Sequence, residues 1–380
     1  MTEKLYDKNA YLSKFEARVI SCLETVSGFE TILDKTAFFP EEGGQSCDTG
    51  HIENAAVTHV FIRGNEIVHI TDAKVSGRVS CRLNMEERFD KMQQHTGEHI
   101  VCGIVHCIYG YENVGFHLGD SDVTFDFDGF LTKAQLGEVE RLANRAVQAN
   151  LTVRGYYPAK DELSALEYRS KKDIDGEVRI VEIENTDVCA CCAPHVSKTG
   201  EVGLIKFTDS AAYKGGIRIH MACGMRALAD YDEKQKNLES IAKALSCNTN
   251  NAAEFFEKYA GQTQALKLDI GAMKKELISL RASAVEKTDG NIVLFEDGLD
   301  MNTLRLTVNA LHGKYGGICA VFSKTDGGFS FTAASDSVDM TGVAERMRSE
   351  LSAKCGGGRQ MIQGTVCAGK DALENILKNI

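Results

Sequence analysis

Short runs of alternating apolar and polar residues dominate the first eighty positions. Ala17-Arg18-Val19-Ile20-Ser21-Cys22-Leu23-Glu24-Thr25-Val26 and Val57-Thr58-His59-Val60-Phe61-Ile62 have the period of half-buried strands, punctuated by Gly28, Gly43-Gly44 and Gly64-Asn65. This pattern predicts a small β-barrel-like unit over residues 1–84. From Met85 to about Tyr109 the apolar spacing turns helical, with only Gly97 and Gly103 as weak punctuation. A helix near 133–150 and strands near 179–183 and 203–207 extend an α+β domain over 85–227. Leu266, Ile270, Met273, Leu277, Leu280 and Ala284 then repeat at four-three spacing among Lys and Glu, which predicts a helical hairpin or coiled-coil linker over 228–290, turning at 246–251. Strand patterns at 318–322 and 329–333, a helix at 340–353 and Gly356-Gly357-Gly358 predict a C-terminal α/β domain over 291–380. The fold class is therefore multidomain α+β.

The composition fits that picture: 43% hydrophobic and 26% charged residues are ordinary for a folded globular chain, and 380 residues suffice for several cores. No apolar run approaches the roughly 18–20 residues needed to cross a bilayer. Met1-Thr2-Glu3-Lys4 leads into polar sequence rather than a signal peptide. No membrane partner is expected. The formal net charge is −11, nearly all of it on residues 1–230, so a nucleic-acid partner requires local basic patches. An odd count of 13 cysteines argues for reduced thiols in a cytoplasmic setting and turns attention to metal binding.

Two local pairs carry that chemistry. His95-Thr96-Gly97-Glu98-His99 puts two imidazoles on one face of a helix, and Cys191-Cys192-Ala193-Pro194-His195 adds a thiolate and an imidazole. Together they supply the four tetrahedral donors that Zn²⁺ prefers, so His95, His99, Cys191 and His195 are the expected ligands. Cys189 and Cys192 compete for the sulfur position. Cys102 and His106 share the face of His99 and are expected to be core or supporting residues.

Over nearly its whole length the chain resembles free-standing alanyl-tRNA editing proteins of the long form, related to the editing and C-terminal domains of alanyl-tRNA synthetase. The resemblance rests on Thr36-Ala37-Phe38-Phe39-Pro40-Glu41-Glu42-Gly43-Gly44-Gln45 with Asp48 and Gly50, and on both ligand pairs. It rests also on Val196-Ser197-Lys198-Thr199-Gly200-Glu201-Val202-Gly203 and Lys214-Gly215-Gly216-Ile217-Arg218-Ile219. The C-terminal part resembles a domain shared with certain phosphoesterases, through Lys314-Tyr315-Gly316-Gly317 and Gly356-Gly357-Gly358-Arg359 with Gln363-Gly364. No Asp-His-His triplet accompanies it, which counts against a phosphoesterase site, and making aminoacyl-tRNA is not expected. Two departures stand out. Cys192-Ala193-Pro194 replaces the family's frequent Gly-Gly-Thr, and Glu98 stands where Gln is common.

The resemblance implies trans-editing: hydrolysis of the ester of serine, and of glycine, on mischarged tRNA(Ala) at a zinc-containing site. The physical rationale is a second sieve. A pocket sized for alanine rejects serine only ~10²-fold, whereas a site that hydrogen-bonds the serine hydroxyl penalises alanine. Thr36 and Gln45 are the expected partners of that hydroxyl, and Glu98 completes the catalytic set. Lys214, Arg218, Gly357, Gly358 and Arg359 are the expected tRNA contacts, and the linker or the C-terminal domain is the expected seam of a homodimer. Two other readings remain. His95-Thr96-Gly97-Glu98-His99 is also a literal H-x-x-E-H, in which Glu98 would activate water for a zinc protease. A non-catalytic tRNA-binding zinc protein is the third.

Overall fold

In the computed structural model, which describes residues 2–119, 123–170 and 176–378, the chain divides into two compact units, Met1–Leu238 and Glu239–Ile380.

The first unit begins with a closed antiparallel barrel. Its strands run, around the wall, Lys14–Thr25, Gly28–Leu33, Glu66–Thr71, Ala55–Arg63, Gly50–Ile52 and Arg78–Leu83, the last pairing back onto the first. Alternation explains the wall: Val79, Cys81 and Leu83 point inward while Arg78, Ser80 and Arg82 stay exposed. Leu33, Phe38, Ile52, Val60 and Ile67 fill the interior.

The long helix Met85–Tyr109 follows at once. The Asn84 side chain caps its first turn by accepting from the Glu87 N–H, and Gly110 ends it in the left-handed conformation at φ 69°. Its centre, Met92–Val105 apart from Ile104, is buried on every side. A helix packed all round needs close neighbours. A Cβ on Gly103 would lie 2.2 Å from the Thr186 carbonyl oxygen, so only glycine lets the strand Asp187–Ala190 approach.

Around the helix stand a four-stranded sheet ordered Ile205–Tyr213, Gly216–Cys223, Val123–Phe127, Asn113–Leu118, and a three-stranded sheet, Val153–Tyr156, Ile180–Ile183, Asp187–Ala190. Helix Lys133–Gln148, with a Thr132–Gln135 capping box, closes the same core through Leu136, Val139 and Ala143. Strand Asn113–Leu118 would be a free edge. A glycine turn from the barrel covers its end: Leu118 N–H donates to the Gly44 carbonyl at 2.7 Å, and Gln45 bridges to Leu118 in parallel.

The second unit carries a five-stranded sheet in the order Ile292–Phe295, Cys319–Thr325, Gly328–Ala334, Met361–Val366, Lys354–Gly357. Its first pair is parallel and the rest antiparallel. Phe322, Phe331, Met347, Ile362 and Leu373 form the core under helices Met340–Leu351 and Lys370–Lys378.

Helices Gly224–Ala244 and Ala252–Ala284 flank the expected turn at 246–251. The anticipated seam residues Leu266, Ile270, Met273, Leu277 and Leu280 are each at least half exposed, and the buried stripe of Ala252–Ala284 is instead Ala252, Ile278 and Ala282. Ala282 packs with Leu304 and Val308 of the same unit, a short contact that needs no heptad. Among the described residues no helix is long and apolar enough to cross a membrane.

Candidate metal centre

His95 and His99 leave the long helix one turn apart and meet Cys191 and His195 from the segment after strand Asp187–Ala190. The four donor atoms lie within 4.8 Å of one another. Cys191 Sγ stands 3.6 Å from His95 Nε2 and 3.4 Å from His195 Nε2. Metal–nitrogen bonds near 2.0 Å and metal–sulfur bonds near 2.3 Å, set tetrahedrally, space such donors about 3.5 Å apart. The donor set therefore fits a tetrahedral cation of the zinc type.

The outward nitrogens explain why the inner ones converge. His95 Nδ1 donates to Gln45 Oε1 at 2.7 Å, His99 Nδ1 to Asp187 Oδ2 at 2.9 Å, and His195 Nδ1 pairs with Thr96 Oγ1 at 3.0 Å. The oxygens of Gln45 and Asp187 can only accept, so His95 and His99 carry a proton on Nδ1 and turn Nε2 to the centre, and the Thr96 bond orients His195 the same way. Asp187 is itself gripped by Arg169, whose Nε and Nη2 reach its two oxygens at 2.7 and 2.9 Å. The Arg179 guanidinium donates to the carbonyls of Cys191 and Ala193, both at 3.0 Å, and shapes the ligand loop.

Electrostatics single out one sulfur. Burial opposes a thiolate at Cys191, but the His95 and His195 rings outweigh it and hold this thiol well below the usual range. Burial pushes the Cys189 and Cys192 thiols up. Burial also depresses His195 to about 3. At His99 burial works the same way, yet the Asp187 bond prevails and raises the pKa, so the carboxylate favours positive charge on or beyond that ring.

The remaining expected residues sort by place. Gln45 reaches the centre through His95. Thr36 is fully buried in the barrel, its hydroxyl 2.9 Å from His69 Nε2 and accepting from the Phe38 N–H. Glu98 is 1% exposed; its Oε1 accepts from Asn113 Nδ2 and from the Cys102 thiol, and its Oε2 lies 3.9 Å from His99 Nε2. His106, near the helix end, pairs with Glu112 at 2.9 Å away from the centre. Arg218 is held by both oxygens of Asp126, at 2.7 and 2.8 Å, and stacks 3.8 Å over the Tyr213 ring, with Lys214 at the hairpin tip. Gly357, Gly358 and Arg359 belong to the second unit, where Arg359 Nε pairs with Asp339 at 3.1 Å and stays 85% exposed.

Asp187, Thr96 and Arg169 were not anticipated. The spacing Asp187-x-Cys189-x-Cys191 carries a signal, since alternate residues of an extended strand share a face. Thr96 offers none, because its partner lies 99 positions away.

Residues 178–220, which contain Cys191 and His195, match the family model described as the threonyl and alanyl tRNA synthetase second additional domain. The alanine–tRNA ligase of Ignicoccus hospitalis is 27% identical over 394 residues, covering all of this chain and 43% of the ligase. That of Halorubrum lacusprofundi is 30% identical across 94% of this chain and 40% of the ligase. The chain thus spans less than half the length of these ligases. The alanyl-tRNA editing protein Aarsd1 of Mus musculus is 26% identical, with 80% of this chain and 83% of that protein aligned. The chain is thus similar to an alanyl-tRNA editing protein over most of both lengths and to alanine–tRNA ligases over less than half of theirs, and of the two ligand pairs Cys191 and His195 lie within the residues that match the family model.

Proposed function

We propose that the protein is a trans-editing hydrolase that cleaves the aminoacyl ester of tRNA(Ala) mischarged with serine, and with glycine, at a Zn²⁺ centre held by His95, His99, Cys191 and His195. The observation that carries this reading is the convergence of three imidazoles, each anchored on its outer nitrogen, on one low-pKa thiolate. Zinc there would supply Lewis acidity toward an ester carbonyl or a water. The chain's own groups do the rest. Gln45 orients His95 and has an amide nitrogen to offer substrate, Glu98 sits against His99, and Thr36 backs the glycine-containing loop.

Arg218 is committed to Asp126, which leaves Lys214 as the hairpin's phosphate contact, while Gly357, Gly358 and Arg359 contribute tRNA affinity. In this scheme 1–84 and 85–227 form the editing site, 228–290 is a spacer, 291–380 binds tRNA, and one of these last two supplies a homodimer seam. Thirteen free thiols suit a cytoplasmic protein. The protease reading is weaker because Glu98 is already engaged by Asn113 and Cys102, and the four-donor set lacks the carboxylate that zinc proteases take as their third ligand.

The test is incubation with seryl-, glycyl- and alanyl-tRNA(Ala). Release of serine with alanine retained supports editing. Stoichiometric binding without turnover points to the non-catalytic alternative, and peptide cleavage dependent on Glu98 to the protease.

A further inference from the structure

The turn that carries Gln45 to the metal centre also carries Glu42. Gly43 and Gly44 take φ of 65° and 87°, the double left-handed turn that joins two strands tightly. Glu42 and Gln45 exchange both backbone bonds, at 3.2 and 3.1 Å, and so form a directly opposed pair whose side chains rise from one face. Gln45 reaches His95 from that face. Glu42 rises beside it over the ligand loop, where its carboxyl takes a hydrogen bond from the Cys192 thiol.

Both side chains keep one polar atom in reserve. Glu42 Oε2 and Gln45 Nε2 are buried without a hydrogen-bond partner among the described residues, and so is the hydroxyl of Ser46 in the same turn. Gln45 is fully buried. Buried polar atoms are satisfied in the great majority of cases, so an acceptor and a donor left unpaired on one turn await a ligand with the opposite pattern. An α-aminoacyl ester has it: an ammonium that donates, next to oxygens that accept.

We infer that Glu42 anchors the α-ammonium of the aminoacyl group, fixing the ester beside the metal centre while the Gln45 amide takes an oxygen of the same group. The assignment rests on the editing reading and adds a substrate requirement to it: a free amino group. A group without positive charge on nitrogen leaves the carboxylate buried and unpaired, which is costly.

The experiment compares seryl-tRNA(Ala) with N-acetylseryl-tRNA(Ala), using the intact protein and the Glu42→Gln variant. The intact protein should favour the free amino group in kcat/KM by about tenfold or more, as expected for a lost hydrogen bond to a charged group. Glu42→Gln should erase most of that preference by slowing the unmodified substrate, with metal content unchanged. Equal rates on the two esters by the intact protein overturn the assignment even if the variant fails to fold, and so does a folded variant that keeps the preference. No serine release from unmodified seryl-tRNA overturns the editing reading itself, and the assignment with it.

Discussion

Asp187 Oδ2 lies 2.9 Å from Nδ1 of His99, and the carboxylate is clamped from behind by the Arg169 guanidinium. The pair sets the tautomer and the direction of His99, and the charge on Asp187 offsets part of the positive charge of a cation beyond the ring. Replacing Asp187 with Asn should weaken zinc affinity by roughly 10–100-fold, the usual cost of removing such an outer partner. Competition with a chromogenic chelator measures it. Unchanged affinity would leave His99 oriented by packing alone.

The second prediction concerns sulfur. Cys191→Ala should lose the metal, whereas Cys189→Ala and Cys192→Ala should keep it, because burial holds both of those thiols in their protonated form. Elemental analysis of the three purified variants decides, and the reverse pattern reassigns the ligand.

Third, serine should be released from tRNA(Ala) faster than alanine by a factor reflecting one or two unmade hydrogen bonds, each worth about 1–3 kcal/mol. Gln45→Leu should cut that ratio and also loosen the metal, since Gln45 supports His95. Thr36→Val should cut the ratio with little effect on zinc, its hydroxyl being bonded to His69 rather than to a ligand. A Thr36→Val protein with the original Ser/Ala ratio would confine that residue to the barrel core.

A fourth prediction follows from His69, which burial depresses to about 4. The unfolded ring titrates near 6.5, so between these values the unfolded chain binds the extra proton and folding weakens as pH falls. The neutral ring's stabilisation is complete above about pH 6.5 and is lost progressively toward pH 4. Substituting Gln should flatten the acid limb of a stability–pH curve across that window. An unchanged limb would assign acid sensitivity to other groups.

Fifth, Arg359→Ala should reduce tRNA affinity and lower the slope of log affinity against log salt by about one counterion, leaving zinc content and saturated turnover intact. A slope equal to that of the parent protein would remove Arg359 from the interface.

Some of this arrangement was legible from the order of residues alone. Alternation at Val57–Ile62 marked the barrel wall because inward Val57 and Val60 must be apolar and an outward neighbour such as Thr58 need not be. The helix Met85–Tyr109 and the pairing of His95 with His99 followed from the helical period. The supporting shell was harder to read. Arg169 acts from a neighbouring segment and Thr96 across 99 positions, so nothing local marks them, and only the alternate spacing with Cys189 and Cys191 points to Asp187. The four-three spacing along Ala252–Ala284 shows a different limit: periodicity reports which residues share a face, not what covers it.

The short bridge between Gln45 and Leu118 has a broader implication. A barrel turn finishes the edge of another sheet and in doing so carries a side chain to the metal centre. Cut between the barrel and the helix, neither piece would retain the full donor environment of His95. A barrel exchanged for one that lacks Gln45 would leave the four donors in place and remove the bond that orients the first of them.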